Sequence, residues 1–149
     1  MKNKILASLA TSAFLLMVAS AAAYAQVPDQ IVAKIPFKFT VEQTTLPAGT
    51  YVIASPVTSD SNMLEIRQEN GDLSVLFLTE SMDPERESVP KTELVFDRVG
   101  THDFLRQVWE EGNAQGEELL KTKQETKLEQ TAGKAQQHRV AATHRKAGK

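Results

Sequence analysis

The sequence predicts an all-β protein, a small antiparallel β-sandwich or partly closed β-barrel carrying one C-terminal surface helix and a disordered basic tail. Three observations predict it. Apolar Ile35, Phe37, Phe39 and Val41 alternate with Lys34, Pro36, Lys38 and Thr40. Two strand-like runs, Met63 to Gln68 and Leu73 to Thr79, flank Asn70-Gly71. A second pair, Leu94 to Arg98 and Phe104 to Glu110, flanks Gly100-Thr101. A period of two is the spacing of a strand with one buried face.

Ahead of these strands, Lys2 and Lys4 precede an uncharged run from Ile5 to Tyr24, and Ala23-Tyr24-Ala25 gives the small-x-small pattern of a cleavage site. This reads as a signal peptide over residues 1–25, cut before Gln26, and predicts a periplasmic or secreted protein. The second half of the run is rich in alanine, too weakly apolar for a retained span, so no stable membrane anchor is expected after cleavage. The predicted divisions are a β domain over 26–115, a surface helix over 116–130 and the tail over 131–149.

Within the domain, Pro36 lacks an amide donor and points to an edge strand for Lys34 to Val41. Leu46-Pro47-Ala48-Gly49 is a turn, with the fixed φ of proline followed by a permissive glycine, and Thr50 to Ser55 is the next strand. Asn70-Gly71 is a type I′ dipeptide. A two-residue turn there sets Ile66 against Val75 and Leu64 against Phe77 on an apolar side, with Glu65 and Arg67 on the other. Residues 80–92 are acidic, contain two prolines and read as a loop.

The Gly100-Thr101 hairpin sets Arg98 across from Asp103. Simple alternation groups Phe96, Leu105 and Trp109 on one face and Val95, Phe104 and Val108 on the other, so the pair is expected to be central or covered. The helix is predicted from Glu117 and Glu118 at its start, a Glu117–Lys121 pair and a stop at Gly133. Its thin stripe of Leu120 and Leu128 keeps it on the surface. Beyond Gly133, Val140 is the only large apolar residue, and the composition predicts disorder.

Five stretches taken in order carry a resemblance: Ile35-Pro36-Phe37-Lys38-Phe39, Leu46-Pro47-Ala48-Gly49-Thr50-Tyr51, Leu94-Val95-Phe96-Asp97-Arg98-Val99-Gly100, Phe104-Leu105-Arg106-Gln107-Val108-Trp109 and Gly112-Asn113. Over residues 32–120 the chain resembles a family of short, exported bacterial β-rich proteins of uncharacterised function. Val99 stands where that pattern has an aromatic, and the basic tail falls outside it. The resemblance implies export and a small β domain, and it transfers no catalytic residue.

Composition excludes several chemistries. There is no cysteine, hence no disulfide, thiolate nucleophile or lipid-bearing cysteine. Residues 26–113 hold 7 Lys/Arg against 15 Asp/Glu, whereas residues 131–149 hold five bases and no acid. An acidic body is not the electrostatic footprint of a nucleic-acid binder.

His102 beside Asp103 reads as a solvated turn, because an orienting carboxylate must reach the far nitrogen of the ring. Glu110 and Glu111, neighbours on or near a strand, point to opposite faces and do not share a substrate. Glu80, Asp83, Glu85 and Glu87 lack the calcium-loop pattern. His138 and His144, six apart, miss the helical ligand spacing. No catalytic residue, cofactor-binding residue, metal ligand or cofactor is assigned.

The functional expectation is a non-catalytic interaction or structural module of the cell envelope, meeting a protein or an anionic polymer. One alternative is a carrier of a small apolar ligand, with Tyr51, Trp109 and the phenylalanines lining its pocket. Another is a carboxylate-dependent hydrolase acting on polysaccharide.

Overall fold

A computed structural model describes residues 29–56, 62–82 and 88–146. The leader expected over residues 1–25 lies outside them. The elements are β1 (Gln30–Ile35), β2 (Phe39–Val41), β3 (Thr44–Leu46), β4 (Gly49–Ala54), β5 (Met63–Gln68), β6 (Ser74–Ser81), β7 (Glu93–Val99), β8 (His102–Trp109), β9 (Glu117–Leu119), α1 (Lys123–Ala132) and β10 (Gln136–Arg145). Strands β8, β7, β10, β1, β4, β5, β6 and β9 follow one another around an antiparallel sheet, and β9 pairs back onto β8. The sheet therefore closes into an eight-stranded barrel. The β2–β3 hairpin lies outside the ring and joins β8 in parallel through Thr40 and Phe104.

An eight-stranded barrel is just wide enough for side chains to fill, and here they fill it. Ile31, Ile35, Tyr51, Ile53, Ile66, Phe77, Leu94, Phe96, Leu105, Val108 and Leu119 form one buried cluster with Phe39 and Val41. Phe39 meets Tyr51 and Phe96 edge-on at 5.1 and 5.5 Å, the offset geometry that aromatic quadrupoles favour. The Tyr51 hydroxyl donates to the Pro47 carbonyl at 2.7 Å and ties the Leu46–Gly49 turn to the core.

The single strand predicted over Lys34 to Val41 is two. β1 ends at Ile35, Pro36 interrupts the ladder, and β2 resumes at Phe39. β1 is not an edge: it lies between β4 and β10. The missing amide of Pro36 falls in the break, and Ile35, Phe39 and Val41 still reach the core, with Phe37 packed against it.

The β5–β6 register is as predicted, Ile66 opposite Val75 and Leu64 opposite Phe77. The turn is not type I′, since neither Asn70 nor Gly71 takes positive φ. The ladder stops a step early, with the Gln68 amide donating to the Leu73 carbonyl and the Gly71 amide to the Gln68 carbonyl. In the β7–β8 hairpin Gly100 takes φ +62°, which glycine adopts without a Cβ penalty, and Arg98 faces Asp103.

That second hairpin contains a bulge. Val95 pairs with Gln107 and Phe96 with Leu105, which leaves Arg106 as the extra residue. The bulge overturns the predicted faces by flipping everything beyond it. Leu94, Phe96, Leu105 and Val108 point inward, while Val95 and Trp109 form an outer cluster with Val89, against which Met82 packs.

The helix is a further correction. Residues 117–119 are the short strand that closes the barrel, and α1 starts only at Lys123, capped by the Thr122 side chain accepting from the Glu125 amide at 3.2 Å. Thr122 and Glu125 have the spacing of a capping box, but the Glu125 carboxylate turns away from the cap to Arg106. Glu125 is the buried residue of α1, while Leu120 is 60% exposed. The helix is thus held by a buried charge and not by an apolar stripe. It stops at Gly133, whose amide donates to the Glu129 carbonyl.

The largest correction concerns the tail. Residues 136–145 are not disordered; they form β10, paired with β7 on one side and β1 on the other. His138, Val140, Ala142 and His144 are half-buried, and the residues between them are exposed. Strand period is present with little hydrophobic amplitude.

Candidate functional site

The groups capable of chemistry lie in three places. At one end of the barrel, Asp103 accepts from Arg98 Nε at 2.9 Å and Nη2 at 3.1 Å, and from His138 Nε2 at 2.7 Å. Asp103 is buried, and its hydrogen bonds and charge raise the Arg98 pKa above the ordinary guanidinium value. The His138 ring packs against both Phe37, at 4.9 Å, and Phe96, at 5.6 Å, and these two rings also touch each other edge-on at 5.2 Å. The histidine that reaches Asp103 is therefore His138 on β10, while neighbouring His102 is exposed and contacts Thr101. This arrangement clamps the β7–β8 hairpin onto β10.

The second place is under α1. Arg106, 3% exposed, donates to Asp97 at 2.9 Å, to the Leu119 carbonyl and to Glu125. Burial pulls the Arg106 pKa down, but Glu125 and Asp97 outweigh burial and leave it raised. The other Asp97 oxygen, Oδ1, is buried with no hydrogen-bond partner among the described residues. This cluster docks the helix and pins the bulge.

The third place is the opposite barrel mouth, a cleft of about 220 Å³ floored by Ile31, Ile53, Leu64 and Val108 and rimmed by Asp29, Glu110, Asn113 and Glu117. Glu117 accepts from Thr79 Oγ1 at 2.7 Å and Ser81 Oγ at 3.4 Å. His144 lies 3.6 Å from Asp29. His138 and His144 point the same way from one strand but stand about 20 Å apart at strand rise, too far to share an ion. Among the described residues no group of three or more His, Cys, Asp and Glu converges on a metal position. Glu111 is exposed and its carboxylate does not line the cleft. Of the acidic loop candidates, Glu80 lies exposed on β6; Asp83, Glu85 and Glu87 lie outside the described residues.

Sequence reasoning missed the outer wall of β5, β6 and β9. Leu76 and Leu78, on the solvent side of β6, are 56% and 59% exposed, and Leu120 just past β9 is 60% exposed. Met63 faces Leu78 across the ladder, and the pairing of Thr79 with Leu119, carried one residue further, sets Leu120 beside Leu78. The signal was available: Leu73 to Leu78 is apolar on both parities, more than one buried face requires.

Comparison with known proteins matches no family model, no curated protein and no solved structure.

Proposed function

We propose that the protein is exported and works in the periplasm or outside the cell as a non-catalytic interaction module of the envelope, docking through the outer wall of β5, β6 and β9. The observation that carries this reading is the row of exposed leucines, Leu76, Leu78 and Leu120, on regular barrel wall where alternation calls for polar residues. Contiguous apolar surface of that kind on a water-facing wall marks a contact for another molecule. The leader and the resemblance support export.

The carrier reading loses support, because the interior is filled by side chains and the mouth cleft is smaller than the ~300–1,000 Å³ typical of ligand pockets. One observation favours the hydrolase as a second reading: Asp29, Glu110 and Glu117 line one cleft. Unchanged turnover of envelope polysaccharide in a Glu110→Gln/Glu117→Gln variant counts against it.

A photocrosslinking residue at position 78, introduced in the native host, tests the main reading. Capture of a defined envelope partner from position 78 but not from exposed Thr143 on the β10 wall is the expected result. Equal labelling at both positions, or none at either, refutes it.

A further inference from the structure

We propose that the leucine wall docks an amphipathic helix of another protein, bearing an apolar stripe flanked by lysine or arginine; this rests on the reading of that wall as the docking face. Main-chain pairing comes first. β6 is bonded to β5 over Ser74–Leu78 and to β9 at Thr79–Ser81, so the edge to which a strand could be added is confined to Ser74–Leu78. The leucines point outward from the sheet, at right angles to that edge, so a partner lying across them binds through side chains. Leu76 and Leu78 lie about 7 Å apart along β6, close to the ~5–6 Å between successive apolar side chains on a helix face. Met63 and Leu120 widen the row by one strand on each side.

Charge then selects among apolar occupants. Glu80 of β6 sits directly opposite Glu118 of β9, one step along the wall from the Leu78–Leu120 row, and Glu65 flanks Leu76 from β5. Like charges directly across a ladder disfavour the sheet, and Arg67 is the base this face offers in return. An external cation relieves the repulsion. Leu78 to Glu80 spans one strand repeat, so a residue one helical turn from an anchoring leucine reaches the glutamate pair. The same charges reject an anionic lipid surface. They also reject a two-fold pairing of this wall with its own copy, which brings glutamates against glutamates.

The probes are three labelled synthetic helices measured by fluorescence anisotropy against the full mature chain. All share one length: the first has a leucine stripe with lysine flanks, the second the same stripe with glutamate flanks, and the third lysine flanks with serine in place of leucine. Expected is binding of the first, with affinity about tenfold weaker for each of the others. A Leu76→Ser/Leu78→Ser variant should lose about tenfold for the first peptide. Glu80→Gln/Glu118→Gln should lose several-fold and flatten the salt dependence, with unfolding midpoints confirming that both variants fold.

Equal binding of lysine- and glutamate-flanked peptides overturns the proposal. So does binding of anionic vesicles in place of peptide, or a dimer that Leu78→Ser dissociates. If no peptide binds while position 78 still crosslinks a host protein, the partner chemistry is wrong and the docking face stands. Absence of both signals removes the docking face itself.

Discussion

Ending the chain after Gly133 removes β10 and leaves residues 29–133 with every large core side chain in place. Read as a tail, the lost segment is dispensable. Read as a stave of the barrel, it is not. β10 has four register pairs with β1 and six with β7, and an antiparallel ladder averages one main-chain hydrogen bond per pair. At about 1 kcal/mol net for each, the two ladders contribute roughly 10 kcal/mol, within the ~5–15 kcal/mol by which a whole domain is stable.

The truncation also strips His138 from buried Asp103 and Arg139 from buried Glu93. The truncated chain should therefore show no cooperative urea transition, with Trp109 fluorescence already that of the unfolded state. Two point variants separate lost strand from lost length. Ala142→Asp puts a carboxylate into the barrel and should cost about 3 kcal/mol or more, whereas Thr143→Asp on the outer side should stay within about 0.5 kcal/mol. A truncated chain that unfolds with an unchanged midpoint, or equal effects at 142 and 143, refutes β10 as a wall strand.

Three further outcomes follow. Arg106→Met leaves Asp97 and Glu125 buried without their cation and should cost about 3–5 kcal/mol in urea unfolding, while replacing all three residues by apolar ones of similar volume should be near neutral. Gly116→Ala places a Cβ at 2.7–2.8 Å from three ring atoms of Trp109; a loss of about 1–3 kcal/mol and a shifted Trp109 emission maximum are expected, and an unshifted spectrum contradicts the packing. Burial raises the Tyr51 phenol above its ordinary pKa of 10.0, so above about pH 10 the unfolded chain releases this proton before the native one does. Stability should fall as pH rises there, and the fall should be shallower in Tyr51→Phe, which at neutral pH loses about 1 kcal/mol with the bond to Pro47.

The parts of the fold legible in the sequence were those whose side chains carry both amplitude and period. Ile66 against Val75 and Arg98 against Asp103 follow from pattern and turn spacing alone. The bulge at Arg106 does not, because it comes from a contact outside the hairpin. Arg106 reaches Asp97 beside it and Glu125 on the helix, and no local rule links residues so far apart. The same network explains why α1 has so thin an apolar stripe and still docks. Glu117 to Leu119 looked helical because glutamate and leucine favour helices; the open edges of β6 and β8, which the segment bridges, overrode that preference. On β6, Leu76 and Leu78 exceed what one buried face requires, and that surplus is the sequence signal for the proposed docking face.

The misreading of residues 136–145 has a specific physical source. A compositional test for disorder asks whether a segment brings enough apolar area to offset its own ordering entropy. It assumes the segment must supply that area itself. β10 completes a wall whose interior is already lined by Phe96, Leu94, Ile31 and Ala33 of the two flanking strands, so its inward positions need only fit, and Val140, Ala142 and two imidazoles do. Its bases then answer the surplus acid of the body residue by residue, Arg139 on Glu93 and Arg145 on Glu69 at 3.3 Å. The acidic body and basic tail that composition presents as two unlike regions are two sides of one interface. A weakly apolar segment with strand period, no proline and charge opposite to the domain before it is better read as a strand in search of its neighbours than as a tail.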